Sequence, residues 1–209
     1  MARYTGPVCR LCRRYGDKLY LKGDRCSTPK CAFERRPQPP GQQRFGRRRR
    51  VSDRALQLRE KQRARFIYGI MEQQFRRYYR DAMRRSGVTG ETLVRLLETR
   101  LDNIVYRLGF ADSRAQARQI VRHGHIDLNG RTTNIPSCAL KISDVITWSE
   151  KGRSTEIYKI MQETLQSKEI PDWLSVDSAN MSGRVLTQPD VSQAGAKFDP
   201  AVIVEFYSR

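Results

Sequence analysis

Four cysteines, Cys9, Cys12, Cys26 and Cys31, spaced C-x2-C-x13-C-x4-C, are the residues best equipped for chemistry in this 209-residue chain. Four thiolates complete the tetrahedral shell of one Zn2+ and leave no position for water or substrate, so a site of that kind is structural. It would also staple a segment with few apolar side chains to bury. Spacing alone leaves open a catalytic zinc that has lost a ligand, an iron–sulfur cluster, or free thiols. In a reducing compartment, paired cysteines are metal ligands more often than disulfides. Cys138 stands alone between Ser137 and Ala139 and reads as a small core residue.

The second chemical resource is arginine. The chain carries a formal charge of +18, and residues 1–50 hold 15 Lys/Arg against 3 Asp/Glu. Residues 51–100 hold 12 against 6, and the remainder is close to neutral. A merely soluble face would mix its signs, whereas this lopsided field is the footprint of a nucleic-acid ligand. The guanidinium fork fits phosphate and stacks on bases. The candidate contacts in the first segment are Arg3, Arg10, Arg13, Arg14, Arg35 and Arg36, followed by the run Arg47, Arg48, Arg49 and Arg50. Further along they are Arg54, Lys61, Arg65, Arg76, Arg77 and Arg80, and then Arg114, Arg118 and Arg122 with His123 and His125. Arg114, Arg118 and Arg122 recur every fourth residue and form one stripe beginning at a helix N-terminus, where free N–H groups also favour phosphate. No Ser–His–Asp order, carboxylate pair or glycine-rich phosphate loop stands out, so the chain reads as a binder and not an enzyme.

The elements that position these residues follow from periodicity and capping. Ser52 is a plausible cap for a helix from Asp53 to Tyr68. Phe75, Tyr78, Tyr79, Ala82 and Met83 recur at helical spacing before Gly87. The spacing of Leu93, Val94, Leu97, Leu101, Ile104, Val105 and Leu108 predicts one helix over Glu91 to Leu108. Ser113 to Gln116 reads as a capping box for a helix stopping at Gly124. A strand from His125 to Leu128 then meets Asn129-Gly130, suited to a type I′ turn, with a return over Thr132 to Ile135. Val145 to Trp148 is a further strand. Ile157, Ile160, Met161 and Leu165 mark another amphipathic helix, and the apolar Val202 to Tyr207 should be packed. The first segment, up to Gly46, shows no obvious regular structure. No run approaches the ~20 apolar residues of a membrane span. Met1–Leu11 lacks the apolar core of a signal peptide, and a cytoplasmic location is expected.

The run LDNIVYRLGF at Leu101–Phe110, followed by SRAQARQIVRHGHIDLNG, resembles the bacterial family of the fourth small-subunit ribosomal protein, here S-four. The RYTGP start, the EKQRARFIYG and IPDWLSVD segments and the VIVEFYSR end are similar to it as well. Some members carry a four-cysteine zinc site and others a metal-free version. The resemblance implies an α+β protein: a zinc-binding basic extension over 1–46, a mainly helical domain over 47–90 joined by about 190–209, and an S-four-type RNA-binding domain over 91–189. It implies a structural constituent of the small ribosomal subunit that binds the 5′ domain of its rRNA early in assembly. That position lies near the mRNA entry channel, beside ribosomal protein S-five, with no membrane or small-molecule substrate. One departure is Ser192–Phe198, smaller and more polar than the helical stretch the family implies there. The rival readings are a stand-alone zinc-containing S-four-domain regulator or accessory factor, an RNA-modifying enzyme that would need a further catalytic domain, and a DNA-binding regulator that would need a recognition helix and a dimer seam.

Overall fold

The computed structural model describes residues 3–41, 51–190, 195 and 197–208. Arg47–Arg50 and most of Ser192–Phe198 therefore lie outside the described residues. The chain divides into two units, Met1–Leu93 with Ala196–Arg209, and Val94–Gly195.

In the first unit the cysteine-bearing segment is not irregular. It holds helix α1 (Cys9–Tyr15), a single 3-10 turn (Gly23–Cys26) and helix α2 (Ala32–Arg35). These elements are too short to show a periodic apolar face, which is why the sequence pattern conceals them. Helix α1 ends at Gly16 in the left-handed conformation. Helix α3 (Asp53–Ile67) is capped by Ser52, whose Oγ accepts the Ala55 N–H at 3.4 Å. Helix α4 (Glu72–Met83) buries Phe75, Tyr79 and Ala82. Met83, expected on that apolar face, is 60% exposed.

The C-terminal run forms helix α10 (Pro200–Ser208), which packs along α3. Tyr207 stacks on Tyr79 with ring centroids 4.5 Å apart and donates its hydroxyl to Glu72 at 2.8 Å. Burial first, and then this bond to Glu72, raise the Tyr207 phenol above its ordinary pKa.

Helix α5 (Thr89–Glu98) crosses the division in sequence, and α6 (Leu101–Arg107) follows it. The single helix expected over Glu91–Leu108 is thus two. The break at Thr99–Arg100 arises because this backbone bonds a distant segment. Leu140 N–H donates to Thr99 O, Leu101 N–H to Cys138 O, and Arg100 pairs with Ala139. The apolar residues of the stripe are nevertheless all buried, from Leu93 to Leu108.

Helix α7 (Arg114–Arg122) begins at Ser113, whose Oγ accepts the Gln116 N–H at 3.3 Å. Gln116 returns its side chain to the Asp112 N–H at 2.8 Å, one residue earlier than the reciprocal bond expected.

The second unit carries a five-stranded antiparallel sheet in the order β2-β1-β3-β5-β4. Its strands are β1 (Ile126–Leu128), β2 (Arg131–Thr132), β3 (Val145–Trp148), β4 (Leu174–Asp177) and β5 (Ser182–Val185), with helices α8 (Glu150–Arg153) and α9 (Glu156–Thr164) between β3 and β4. Asn129 and Gly130 both take positive φ, 51° and 77°, as the two-residue turn requires.

Ile126, Ile146, Trp148, Leu174 and Val185 point inward and join Leu101, Ile104, Val105, Leu108, Phe110, Ile120 and Val121 in one core. Gly183 leaves room for Leu108: a Cβ there would sit 2.5 Å from its Cδ2. On α9 only Met161 is buried, with Leu165 just beyond, while Ile157 and Ile160 are exposed. Cys138 is half-buried against the core.

Candidate nucleic-acid interface

Among the described residues, arginine reaches solvent on α4, in the first segment and at the end of α7. On α4, the apolar side is turned inward at Phe75, Tyr79 and Ala82, so helical geometry leaves Arg76, Arg77, Arg80 and Arg84 exposed, with Arg85 next to them. Five arginines against the exposed Asp81 leave this face strongly positive, which suits a phosphate backbone. In the first segment Arg3, Arg10, Arg14, Arg35 and Arg36 are exposed, and Arg54 is exposed in the first turn of α3. Arg13 is half-buried and donates Nε–H to Gln38 O at 2.8 Å.

A separate surface surrounds the end of α7. Arg122 and His123 are exposed, and His125 is half-buried with its ring edge-on to His123, centroids 5.8 Å apart. Burial, and then the nearby Lys151 and His123, lower the pKa of His125, so its imidazole is neutral at neutral pH.

Two of the expected contacts are internal. Arg118 does not share the exposure of Arg122, and Arg114 is itself half-buried. It is 5% exposed, and its Nη1 lies 3.1 Å from Asp102 Oδ2. Helical periodicity places the three on one side, but the core-facing edge of that stripe turns toward α6, where Asp102 supplies the countercharge. Burial lowers its pKa while Asp102 opposes the shift. Lys61 is buried too, with Nζ 2.9 Å from Glu72 and 4.8 Å from the centre of the Phe206 ring. It is a cation of the α3–α4–α10 core, held where an unpaired ammonium would be costly. Arg65 is half-buried over the Phe66 ring, 4.0 Å from Glu72.

Beneath the surface at the end of α7 lies a buried polar network with no obvious signature in the apolar stripe. Arg100 meets Asp102 with both arms, Nε at 3.0 Å and Nη2 at 2.7 Å. Arg107 grips Glu98 likewise, at 3.0 and 2.9 Å. Asn103 donates to the Glu98 carboxylate at 2.7 Å and accepts Arg114 Nε–H at 2.7 Å. The alternation of Glu98, Arg100 and Asp102 within an apolar helix pattern was the available signal, since charges there are buried only in pairs.

Cys9, Cys12, Cys26 and Cys31 are the candidate donor set. None of them is in a disulfide; Cys12, Cys26 and Cys31 are buried and Cys9 is half-buried. Burial raises the Cys12 pKa, the Leu19 N–H opposes this, and the neighbouring Cys26, Cys9 and Cys31 raise it further. The Lys22 N–H donates to Cys26 Sγ at 3.4 Å. The donor chemistry fits zinc. Among the described residues, no three His, Cys, Asp or Glu side chains are grouped tightly enough to hold a metal as they stand.

One unit carries an arginine face on α4, and the other is an α+β unit whose helix α7 and hairpin are edged by cations. The ribosomal protein S4/S9 N-terminal domain family matches residues 3–98, and the S4 domain family matches residues 99–146. Relatives named small ribosomal subunit protein uS4 match over 209 residues, the whole of both chains. They are 55% identical in Heliobacterium modesticaldum, 53% in Dehalococcoides mccartyi and 53% in Thermus thermophilus. The chain belongs to the ribosomal protein uS4 family.

Proposed function

We propose that the protein is a structural, non-enzymatic constituent of the small ribosomal subunit, where it binds rRNA. The observation that carries this is the exposed arginine face of α4, with Arg122 and His123 exposed at the end of α7, in a chain with uS4 relatives across its whole length. The arginines neutralise phosphates, and the rigid helices behind them fix the angles at which RNA segments meet. Base-specific contacts are few, because the deep major groove of A-form RNA is closed to side chains.

The finer reading is that the RNA is the 5′ domain of small-subunit rRNA, with ribosomal protein S-five and the mRNA entry channel as neighbours. It rests on the resemblance of the quoted motifs. A structural Zn2+ on Cys9, Cys12, Cys26 and Cys31 belongs to the same reading. What supports it is the C-x2-C-x13-C-x4-C spacing and the amide that donates to Cys26 Sγ. When bound, the ion would cross-link α1 to the segment ending at Cys31 and supply folding energy where apolar burial is scarce.

The test is binding of the zinc-loaded chain to a 5′-domain rRNA fragment across a salt series, with an unrelated structured RNA of equal length as competitor. Tight, competitor-resistant binding is expected, with log affinity falling by roughly 0.7–0.9 per neutralised phosphate as log salt rises. Equal affinity for both RNAs would overturn the reading.

A further inference from the structure

Glu98 is completely buried yet holds two cations at once. Arg107 approaches its Oε1 at 2.9 Å and Arg114 approaches the same oxygen at 3.9 Å. Both arginines keep a window to solvent, their side chains 20% and 15% exposed. Around Glu98 the two guanidiniums share one carboxylate. A shared oxygen also keeps the two forks close enough for a single phosphate to meet both. Arg114 is fixed from two further sides. Its Nε–H bonds Asn103 at 2.7 Å, and its guanidinium carbon lies 4.6 Å from the centre of the half-buried Tyr106 ring.

A flexible arginine loses rotamer freedom when it meets phosphate, whereas one already held by ring, amide and carboxylate loses little. We infer that Glu98 and Tyr106 are positioning residues for RNA binding, which together hold Arg107 and Arg114 as a paired guanidinium seat for one backbone phosphate. The inference rests on the rRNA-binding reading above and assigns part of that surface.

The decisive experiment is a double-mutant cycle in the full chain, read as affinity for the 5′-domain fragment and for the competitor RNA. Tyr106→Leu keeps apolar bulk but removes the ring, and should weaken binding about fivefold, the worth of one partly buried cation–π contact. Tyr106→Phe restores the ring and should bind as the parent does. With Arg114→Ala already present, Tyr106→Leu should change affinity by less than twofold, because the ring acts only through Arg114.

Glu98→Gln supplies a second readout. It removes a negative charge, so a purely electrostatic role would tighten both RNAs. Positioning instead predicts weaker binding of the fragment with unchanged or tighter binding of the competitor. Circular dichroism reports whether Glu98→Gln folds, and if it does not, the Tyr106 cycle alone decides. An unaltered Tyr106→Leu, or an equal Tyr106→Leu effect with and without Arg114, would overturn the proposal. A parent protein that shows no preference between the RNAs overturns the rRNA reading instead, and the cycle is then read on the competitor.

Discussion

Arg118→Ala separates a cation that folds the protein from one that binds RNA. Arg118 lies within the core network, 3.1 Å from Asp102, which Arg100 also grips with both arms. Deleting one partner of a buried ion pair costs roughly 3–5 kcal/mol when the other is left uncompensated. Here Arg100 still neutralises Asp102, so the electrostatic loss falls toward the low end, and the missing aliphatic stem adds a packing loss. The expected destabilisation is about 3 kcal/mol.

Trp148 and Trp173, each 1% exposed, lie in the same unit and report its unfolding by fluorescence. With a urea dependence of about 1–3 kcal/mol per molar, the midpoint should fall by roughly 1–3 M. Arg118→Met, which keeps much of the stem volume, should lose less. The salt slope of RNA binding should not change in either variant under conditions where it is folded. Arg122→Ala, at an exposed position, should behave oppositely. Its stability should stay within about 0.5 kcal/mol, and its log–log salt slope should flatten by roughly 0.7–0.9 for one lost phosphate contact. A stable Arg118→Ala with a flattened slope would refute the reasoning.

Three other perturbations test separate parts of the structure. Cys26→Ser, or zinc removal by a chelator, should loosen the segment around Cys9–Arg35 in hydrogen exchange while the tryptophan-monitored transition of the second unit stays put; loss of both together would contradict this. The Glu72 carboxyl feels burial, which raises its pKa, but hydrogen bonds from Lys61 and Tyr207 outweigh it and lower the folded value. Its contribution is therefore complete above the unfolded carboxylate range, and is lost as pH falls from about 5 through the lower folded pKa. Near-ultraviolet dichroism of Tyr79 and Tyr207 should follow that loss, and Glu72→Gln should remove the acid dependence. Gly152→Ala would drive a Cβ into the His125 carbonyl and to 3.0 Å from Trp148 Cε3. Overpacking against backbone should cost about 1–3 kcal/mol, seen as a lower urea midpoint; an unshifted midpoint would show that the loop yields.

Local order was legible because its causes are local. The Ser52 and Ser113 caps, the Asn129-Gly130 turn and the inward alternation of Ile146 and Trp148 each need only the neighbouring backbone and the period of the element. The family motifs and the lopsided charge likewise belong to the sequence alone. Strands β4 and β5 were missed: Gly183 interrupts their pattern, and they hold together through pairing with each other and with β3.

Tertiary structure alone decided which cations are surface and which are core. Arg118 and Arg122 are the same residue one turn apart, and only the position of Asp102 on another helix makes one an internal ion and leaves the other exposed. Lys61 is likewise internal because Glu72 and the C-terminal aromatics close over it, and α5 stops because Thr99 and Arg100 bond a distant strand-like segment. Helical period and end caps are short-range properties of the backbone. The fate of a charge depends on the partner that meets it through space, and the linear order of residues does not specify that distance.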